Sequence, residues 1–380
     1  MSELSPKQKY KPIFNRTYLK YLGFVVAIAI ILLSEKPAKP IDQIIQLENS
    51  AIHLGVLPID EDYPERLLLS FISTPALSLE AKTNRKLMYQ SINKSAQNID
   101  QLHSVLWTQD RLEIEFRWSS EHPLQIKSAL AELERNSRAF NTQQARKLIA
   151  AELYLHNQAP DNAALQHLDN RLSRDFSSNE NLSQVLSASP KAILFTHKDI
   201  TEIQVTTIDQ QLTQLFHFPA RKLTNSTPWQ PFEETLKHRS NKHLLLTATQ
   251  LAQISNENSA LELLSTIVLG DLLKTSASEL NVNYRLLRQP ILAHGYQAIL
   301  FDSKRTLTDS TLFDIRESIA KQPIDEALIS AKNRLVQHYN DLSENPDRLF
   351  KLYSKKYFYG LSIQSASEYE AQLDTITTEI

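Results

Sequence analysis

The chain contains no cysteine in its 380 residues, which excludes disulfides, thiolate metal sites and cysteine nucleophiles and leaves the redox compartment open. Glycine is almost as scarce. With 5 in the whole chain, a glycine-rich phosphate cradle and a dinucleotide fingerprint are both absent. Charge of one sign is missing too: 41 basic and 43 acidic residues leave a formal net charge of -2, without the basic footprint of a nucleic-acid binder. None of the 11 histidines has another four residues away, so no single helix can present two imidazoles one turn apart. His238 and His243 are five apart without a carboxylate cluster and read as loop residues. Serine-nucleophile signatures lack a fitting strand and turn context. What remains is an ordinary globular composition, 42% hydrophobic and 22% charged, in a chain long enough for two cores.

Long apolar runs are missing except for one, Tyr21 to Ser34, which is uncharged and rich in Val, Ile, Ala and Leu. Fourteen residues of helix span about 21 Å, less than the ~30 Å hydrocarbon core. Tyr18, Leu19 and Tyr21 suit an interface, and the stems of Lys20 and Lys36 can reach the headgroups. A cleaved signal peptide has a similar pattern, but SEKPAKP offers no small-residue cleavage site and reads as a stiff exit linker. Lys7, Lys9, Lys11, Arg16 and Lys20 precede the run, so a retained anchor keeps the amino terminus cytoplasmic. The expected layout is a cytoplasmic tail over 1–20, a transmembrane anchor over 21–34 and a linker over 35–46. The soluble body then faces the periplasm of a bacterial inner membrane.

Beyond the linker, helical and strand-like patterns alternate. The periodicity predicts helices over Tyr63–Phe71, Ala81–Ser95, Pro123–Asn136 and Thr142–His156, with strands across Leu102–Trp118, where EIEFRW reads as half-buried. The second half reads as strand Ala192–His197, helix Thr207–Phe216, linker Pro219–Pro231, strand Leu244–Gln250 and helix Ala260–Leu273. A strand at His294–Phe301 and helices at Ser310–Ala320 and Ile324–Tyr339 follow. Leu172–Pro190 reads as a loop. APD at Ala159–Asp161 and NPD at Asn345–Asp347 each restart a helix. Sliding Pro160 onto Pro346 also brings Asp161 onto Asp347, Ala145 onto Ala331 and Arg146 onto Lys332. Either two similar domains share a turn by chance or the chain carries an internal repeat.

ENSALELLSTIVLG (Glu257–Gly270), LRQPILAHGYQAIL (Leu287–Leu300) and PIDEALISAKNRLVQHYNDLSENPDRLFKLYSKKYFYG (Pro323–Gly360) resemble, in order and spacing, the carboxy-terminal domain of the insulinase or pitrilysin peptidases. SPKAILFTHKDI is similar to the strand that opens that domain, and TTIDQQLTQLFHF to its next helix. The resemblance covers Ser189–Ile380 well and Leu47–Leu172 weakly. It implies an α+β fold: two repeated α/β sandwich domains, 47–188 (degenerate) and 189–380, forming a half-clamshell, preceded here by the one amino-terminal transmembrane helix expected from the apolar run.

Active members carry H-x-x-E-H on an early helix, where two imidazoles hold zinc and the glutamate activates its water, and a later helix adds a second glutamate. Here RLLLS matches that helix best, placing Arg66 and Ser70 at the histidines and Leu69 at the base. Glu152 stands where a relic of the downstream ligand would, but a solvated helix charge is the reading its residue type favours. The family's substrate-gripping Arg and Tyr, four residues apart, fall on Pro290 and His294, while Arg288 and Tyr296 stand nearby at the wrong spacing. The resemblance therefore implies no catalytic residue, no metal and no cofactor.

The function implied is that of a membrane-anchored pseudo-peptidase acting as partner, scaffold or regulator of an active zinc peptidase. Its partner is such a peptidase subunit in a heterodimer, or a second copy in a homodimer, and a peptide or protein ligand fits the same fold. A stand-alone peptide-binding or chaperone module and a peptidase with a non-standard site are the alternatives.

Overall fold

The computed structural model describes residues 45–46, 52–59, 63–119, 122–137, 142–172, 180–197, 202–216, 218–219, 221, 229–230, 232–292 and 295–377. Strands β1 (Ile45–Gln46), β2 (His53–Ile59) and β3 (Glu65–Ile72) lead into helix α1 (Leu79–Ala96) and the hairpin β4 (Leu102–Trp107) and β5 (Arg111–Trp118). Helices α2 (Ile126–Ser137), α3 (Thr142–His156), α4 (Pro160–Leu172) and α5 (Leu182–Leu186) follow. Strand β6 (Lys191–His197) and helix α6 (Glu202–Leu215) precede β7 (His243–Gln250), α7 (Ser259–Glu279), β8 (Asn283–Gln289) and β9 (Tyr296–Ser303). The chain then runs through α8 (Asp309–Ala320), α9 (Ile324–Ser343), α10 (Pro346–Tyr359) and α11 (Ala366–Asp374).

The order β3-α1-β4-β5-α2-α3-α4 recurs as β7-α7-β8-β9-α8-α9-α10. Both copies build the same antiparallel arrangement, β3-β5-β4 in the first sheet and β7-β9-β8 in the second. Of the two readings of the APD and NPD coincidence, the internal repeat is therefore the one the fold carries.

Each proline-opened helix covers the other half's sheet. One face of the first sheet buries Leu67, Leu69, Phe71, Ile114 and Phe116 against α1, α2 and α6. Its opposite face, Leu57, Leu68, Ile193 and Phe195, is covered by Phe350 of α10, with Tyr353 and Tyr357 packed around it. The Phe195 and Phe350 rings meet edge to face at 4.4 Å. Reciprocally, Leu168 and Leu172 of α4 pack on Tyr296, Ala298, Leu246 and Leu287 of the second sheet. Polar latches repeat the exchange: Asp347 of α10 pairs with Arg66 of β3 at 2.5 Å, and Asp161 of α4 with Arg285 of β8 at 3.4 Å. Helix α10 is held at both ends. The Asn345 side chain caps its start, Pro346 opens it, and Gly360 leaves it at φ 72°, a left-handed turn that favours glycine. Lys191 of β6 donates to the Phe358 carbonyl at 2.7 Å, satisfying one of the last orphan acceptors.

Three expectations are corrected. Tyr63–Phe71 is not a helix, because Glu65–Ile72 is the strand β3. That strand is covered by helices on both faces, so it reads as a continuous apolar run that periodicity cannot tell from a buried helix. The boundary between 188 and 189 falls inside the first half: β6 pairs in parallel with β2 and antiparallel with β3, and α6 packs in the first core. The stretch Leu172–Pro190, expected as loop, contains the short helix α5, opened by a capping box between Asn181 and Gln184. Among the described residues no helix is long and apolar enough to cross a membrane, and the expected anchor at 21–34 lies outside them.

Candidate functional site

Because Arg66, Leu69 and Ser70 lie on a strand, they cannot be the counterpart of a helical ligand motif. Leu69 is in the first core, while Arg66 faces α10, bonded to Asp347 with its guanidinium over the Phe350 ring at 5.3 Å. The early helix is α1, and Glu152 of α3 does face it. Thr83 Oγ1 donates to Glu152 Oε2 at 3.1 Å, and Lys86 Nζ to Glu152 Oε1 at 2.7 Å. The hydrogen bond from Lys86, seconded by that from Thr83, holds the Glu152 carboxyl below its usual range against a smaller effect of burial.

On the side of α1 that meets α3 and α4, Lys82, Arg85 and Lys86 have the i, i+3, i+4 spacing of the peptidase motif and offer three cations, whereas a zinc enzyme needs imidazole, carboxylate and imidazole. Lys82 Nζ donates to Asp169 Oδ2 of α4 at 2.5 Å, and Tyr296 Oη of β9 donates to Asp169 Oδ1 at 2.9 Å. Burial raises the Asp169 carboxyl above its usual range, opposed by Lys82 and by the two hydrogen bonds. Burial and the neighbouring Asp169 push the Tyr296 phenol far up, so it stays a donor.

Arg85 is fixed by backbone. It donates to the carbonyls of Thr108 at 3.0 Å, Gln109 at 2.5 Å and Thr74 at 2.6 Å, and lies over the Trp107 ring at 5.3 Å. Burial lowers it to about 10, opposed by Asp110, so it remains a cation at neutral pH. Beside it Glu180 accepts from Ser73 Oγ at 2.7 Å, the Thr74 amide at 2.7 Å and the Arg221 guanidinium.

These residues do not fit zinc. Ammonium groups cannot ligate it, and the carboxylates around α1, Glu152, Asp169 and Glu180, already serve as acceptors. Among the described residues no three histidine, aspartate or glutamate side chains converge as a metal site. Arg85 supplies a charge opposite to that of a general base. The arrangement holds helices and sheet together by ion pairs.

The other candidate pair is also dispersed. Arg288 is paired across the strands with Gln297, the neighbour of Tyr296, so the two side chains leave opposite faces of the sheet. Arg288 goes to Glu262 of α7 at 2.9 Å and Tyr296 to Asp169 of α4. Pro290 starts the turn between β8 and β9, and His294 lies outside the described residues. Sequence reasoning missed Lys82, Arg85, Lys86 and Asp169, because charged helix residues at this spacing read as a solvated face.

No family model and no curated protein matches the chain. Solved structures do. An inactive domain of peptidase M16 from Pseudomonas fluorescens superposes with TM-score 0.61 at 14% identity, covering 88% of this chain and 92% of that one. A protease from Helicobacter pylori gives 0.58 at 10% identity, covering 89% and 94%. Pitrilysin gives 0.54 at 10% identity, covering 91% of this chain and 41% of its own. The fold is that of the insulinase-type peptidases. Within that fold, the repeat and the exchanged helices join the two halves, and α1 turns Lys82, Arg85 and Lys86 towards α4, the carbonyls after β3 and β4, and α3.

Proposed function

We propose that this chain is a non-catalytic insulinase-like protein, tethered to a membrane by residues 21–34, that acts as partner, scaffold or regulator of an active zinc peptidase. The observation that carries the reading is the triplet Lys82, Arg85 and Lys86 on α1, with Lys82 and Lys86 ion-paired to Asp169 and Glu152. A fold kept in full while its reactive position is filled with structural ion pairs points to a surface role. Two similar structures support protein pairing: a chain of complex III from Candida albicans, at TM-score 0.58 and 10% identity, and the protease FusC in complex with Arabidopsis ferredoxin, at 0.53 and 12%.

Purified full-length protein in detergent is expected to retain no stoichiometric zinc after dialysis and to leave a peptide library uncut. Mixed with an intact H-x-x-E-H homologue from the same cell, it is expected to form a complex by light scattering and to change that enzyme's activity. Tight zinc with chelator-sensitive cleavage would overturn the non-catalytic reading. No association and no change in activity would transfer the proposal to a stand-alone binding module.

Tethering has its own test. Reporter fusions after residue 60 and at the carboxy terminus are expected to read as exported, on the far side from the basic amino-terminal tail. Cytoplasmic signals at both positions would remove the anchor from the proposal.

A further inference from the structure

The two halves repeat one plan, yet their sheets differ in width. Among the described residues the first runs β1-β2-β6-β3-β5-β4 and the second only β7-β9-β8. In the repeat β7 stands for β3, so the second sheet has no strand where β6 lies against β3. The side chains register the difference. Leu67, Leu68 and Leu69 of β3 are 0%, 5% and 0% exposed, whereas the matching run Leu244, Leu245 and Leu246 of β7 is only half-buried. No backbone group of β7 bonds on the side away from β9. Free N–H and C=O groups along a strand are a template for another strand, and edges are ordinarily blunted by charge, proline or a bulge. β8, the other edge of this sheet, carries Arg285 and Arg288, and β4, an edge of the first, has a bulge between Leu102 and Ser104. β7 (HLLLTATQ) has no lysine, arginine, acid or proline, and its register with β9 is unbroken from His243 to Gln250.

We propose that the free edge of β7 receives an extended segment of a partner protein, laid antiparallel to β7 as a fourth strand of the second sheet. The repeat selects the occupant. At the same edge in the first half lies β6 (KAILFTH), antiparallel to β3 over Arg66–Ser70, uncharged through its middle and ended by Lys191 and His197. The segment that fits β7 has the same chemistry, a short apolar run with polar ends. Its main chain would satisfy the free edge, and its alternate side chains would cover Leu245 on one face and Leu244 and Leu246 on the other.

This strand addition rests on the protein-pairing reading above and names the surface that such a partner uses. The two fail separately: association with a peptidase is read by light scattering, and strand addition by the protection of one edge.

The probe is a synthetic peptide of Ser189–Ile200 (SPKAILFTHKDI), which copies β6, added to full-length protein in detergent. Amide hydrogen exchange is expected to slow at least about tenfold at alternate residues of His243–Gln250, those whose N–H faces away from β9. The same peptide N-methylated at Ile193 and Leu194 keeps every side chain but loses a donor on each side of the strand, and should bind at least about tenfold more weakly. Thr249→Lys, at an exposed position of β7, puts a charge on the edge and should weaken the parent peptide with protein stability unchanged. Binding that leaves β7 exchange unaltered, equal binding of the N-methylated peptide, or no binding would each overturn the proposal. So would protection of β7 that appears without peptide and rises with protein concentration, which would assign the edge to a second copy.

Discussion

Gly295→Ala is expected to be among the most damaging single substitutions in the chain. A Cβ at this position would stand 2.2 Å from the Gln289 carbonyl oxygen and 2.7 Å from Pro290 Cα. Both are backbone atoms, so no side-chain rotamer can relieve the overlap and the turn between β8 and β9 must move. That turn is tied on several sides. The Leu251 amide donates to the Gly295 carbonyl at 2.9 Å, the Leu292 amide donates to Asp110 Oδ2 of the first half at 2.8 Å, and Ile291 is buried against Leu168 and Leu172 of α4. Moving the turn disturbs the second sheet and the contact between halves together, and we expect a loss of about 3 kcal/mol or more in denaturant unfolding. Gly270→Ala is the control. Its Cβ would meet only Leu286 Cδ2 at 3.6 Å, and within α7 the change should be neutral or stabilising by up to about 1 kcal/mol. Equal stability of the two variants would refute the steric argument.

The elements that were legible in the sequence share a property: they have one face in water. Helices α2, α3, α8 and α9 alternate apolar and polar residues at helical spacing, and proline at 160 and 346 marks the start of α4 and α10. The elements that were misread are buried on both sides or depend on distant pairing. β3 carries no alternation because α10 covers one face and the first-half helices the other. β6 lies far from its partners in the chain, and nothing local in KAILFTH says that it enters between β2 and β3. The site was hidden for a related reason. Glu152 was visible as a lone acid, but its partners Thr83 and Lys86 come from a helix whose alignment depended on knowing that Arg66–Ser70 is a strand.

The cations on α1 and the exchanged helices serve one end. Lys86 ties α1 to α3, Lys82 ties α1 to α4, and α4 in turn packs on the second sheet. Arg85 binds α1 to the carbonyls that follow β3 and β4. Charges within the body of the protein thus join elements of both halves, and a partner surface built on such a body is presented in a fixed geometry, which lowers the ordering cost of association.

Asp169→Ala tests that joint directly. Asp169 is 6% exposed and accepts from Lys82 at 2.5 Å and from Tyr296 at 2.9 Å, so it links α1, α4 and β9 through one carboxylate. Removing one member of a buried, hydrogen-bonded ion pair leaves the other charge uncompensated, which typically costs about 3–5 kcal/mol. Here Lys82 is partly solvated and can recover some hydration, which places the expected loss near the lower limit, about 3 kcal/mol. Tyr296→Phe removes only a neutral donor and should cost about 1 kcal/mol. Lys82→Met combined with Asp169→Leu replaces both charges by apolar volume and should recover most of the loss, because the desolvation of the pair disappears with its attraction. The measurement is urea unfolding of the three variants alongside the parent, read as midpoints at constant slope. If Asp169→Ala falls within about 0.5 kcal/mol of the parent, the range of an inconsequential surface change, the carboxylate is not the joint and the halves are held by the apolar contacts of α4 and α10 and the other polar latches.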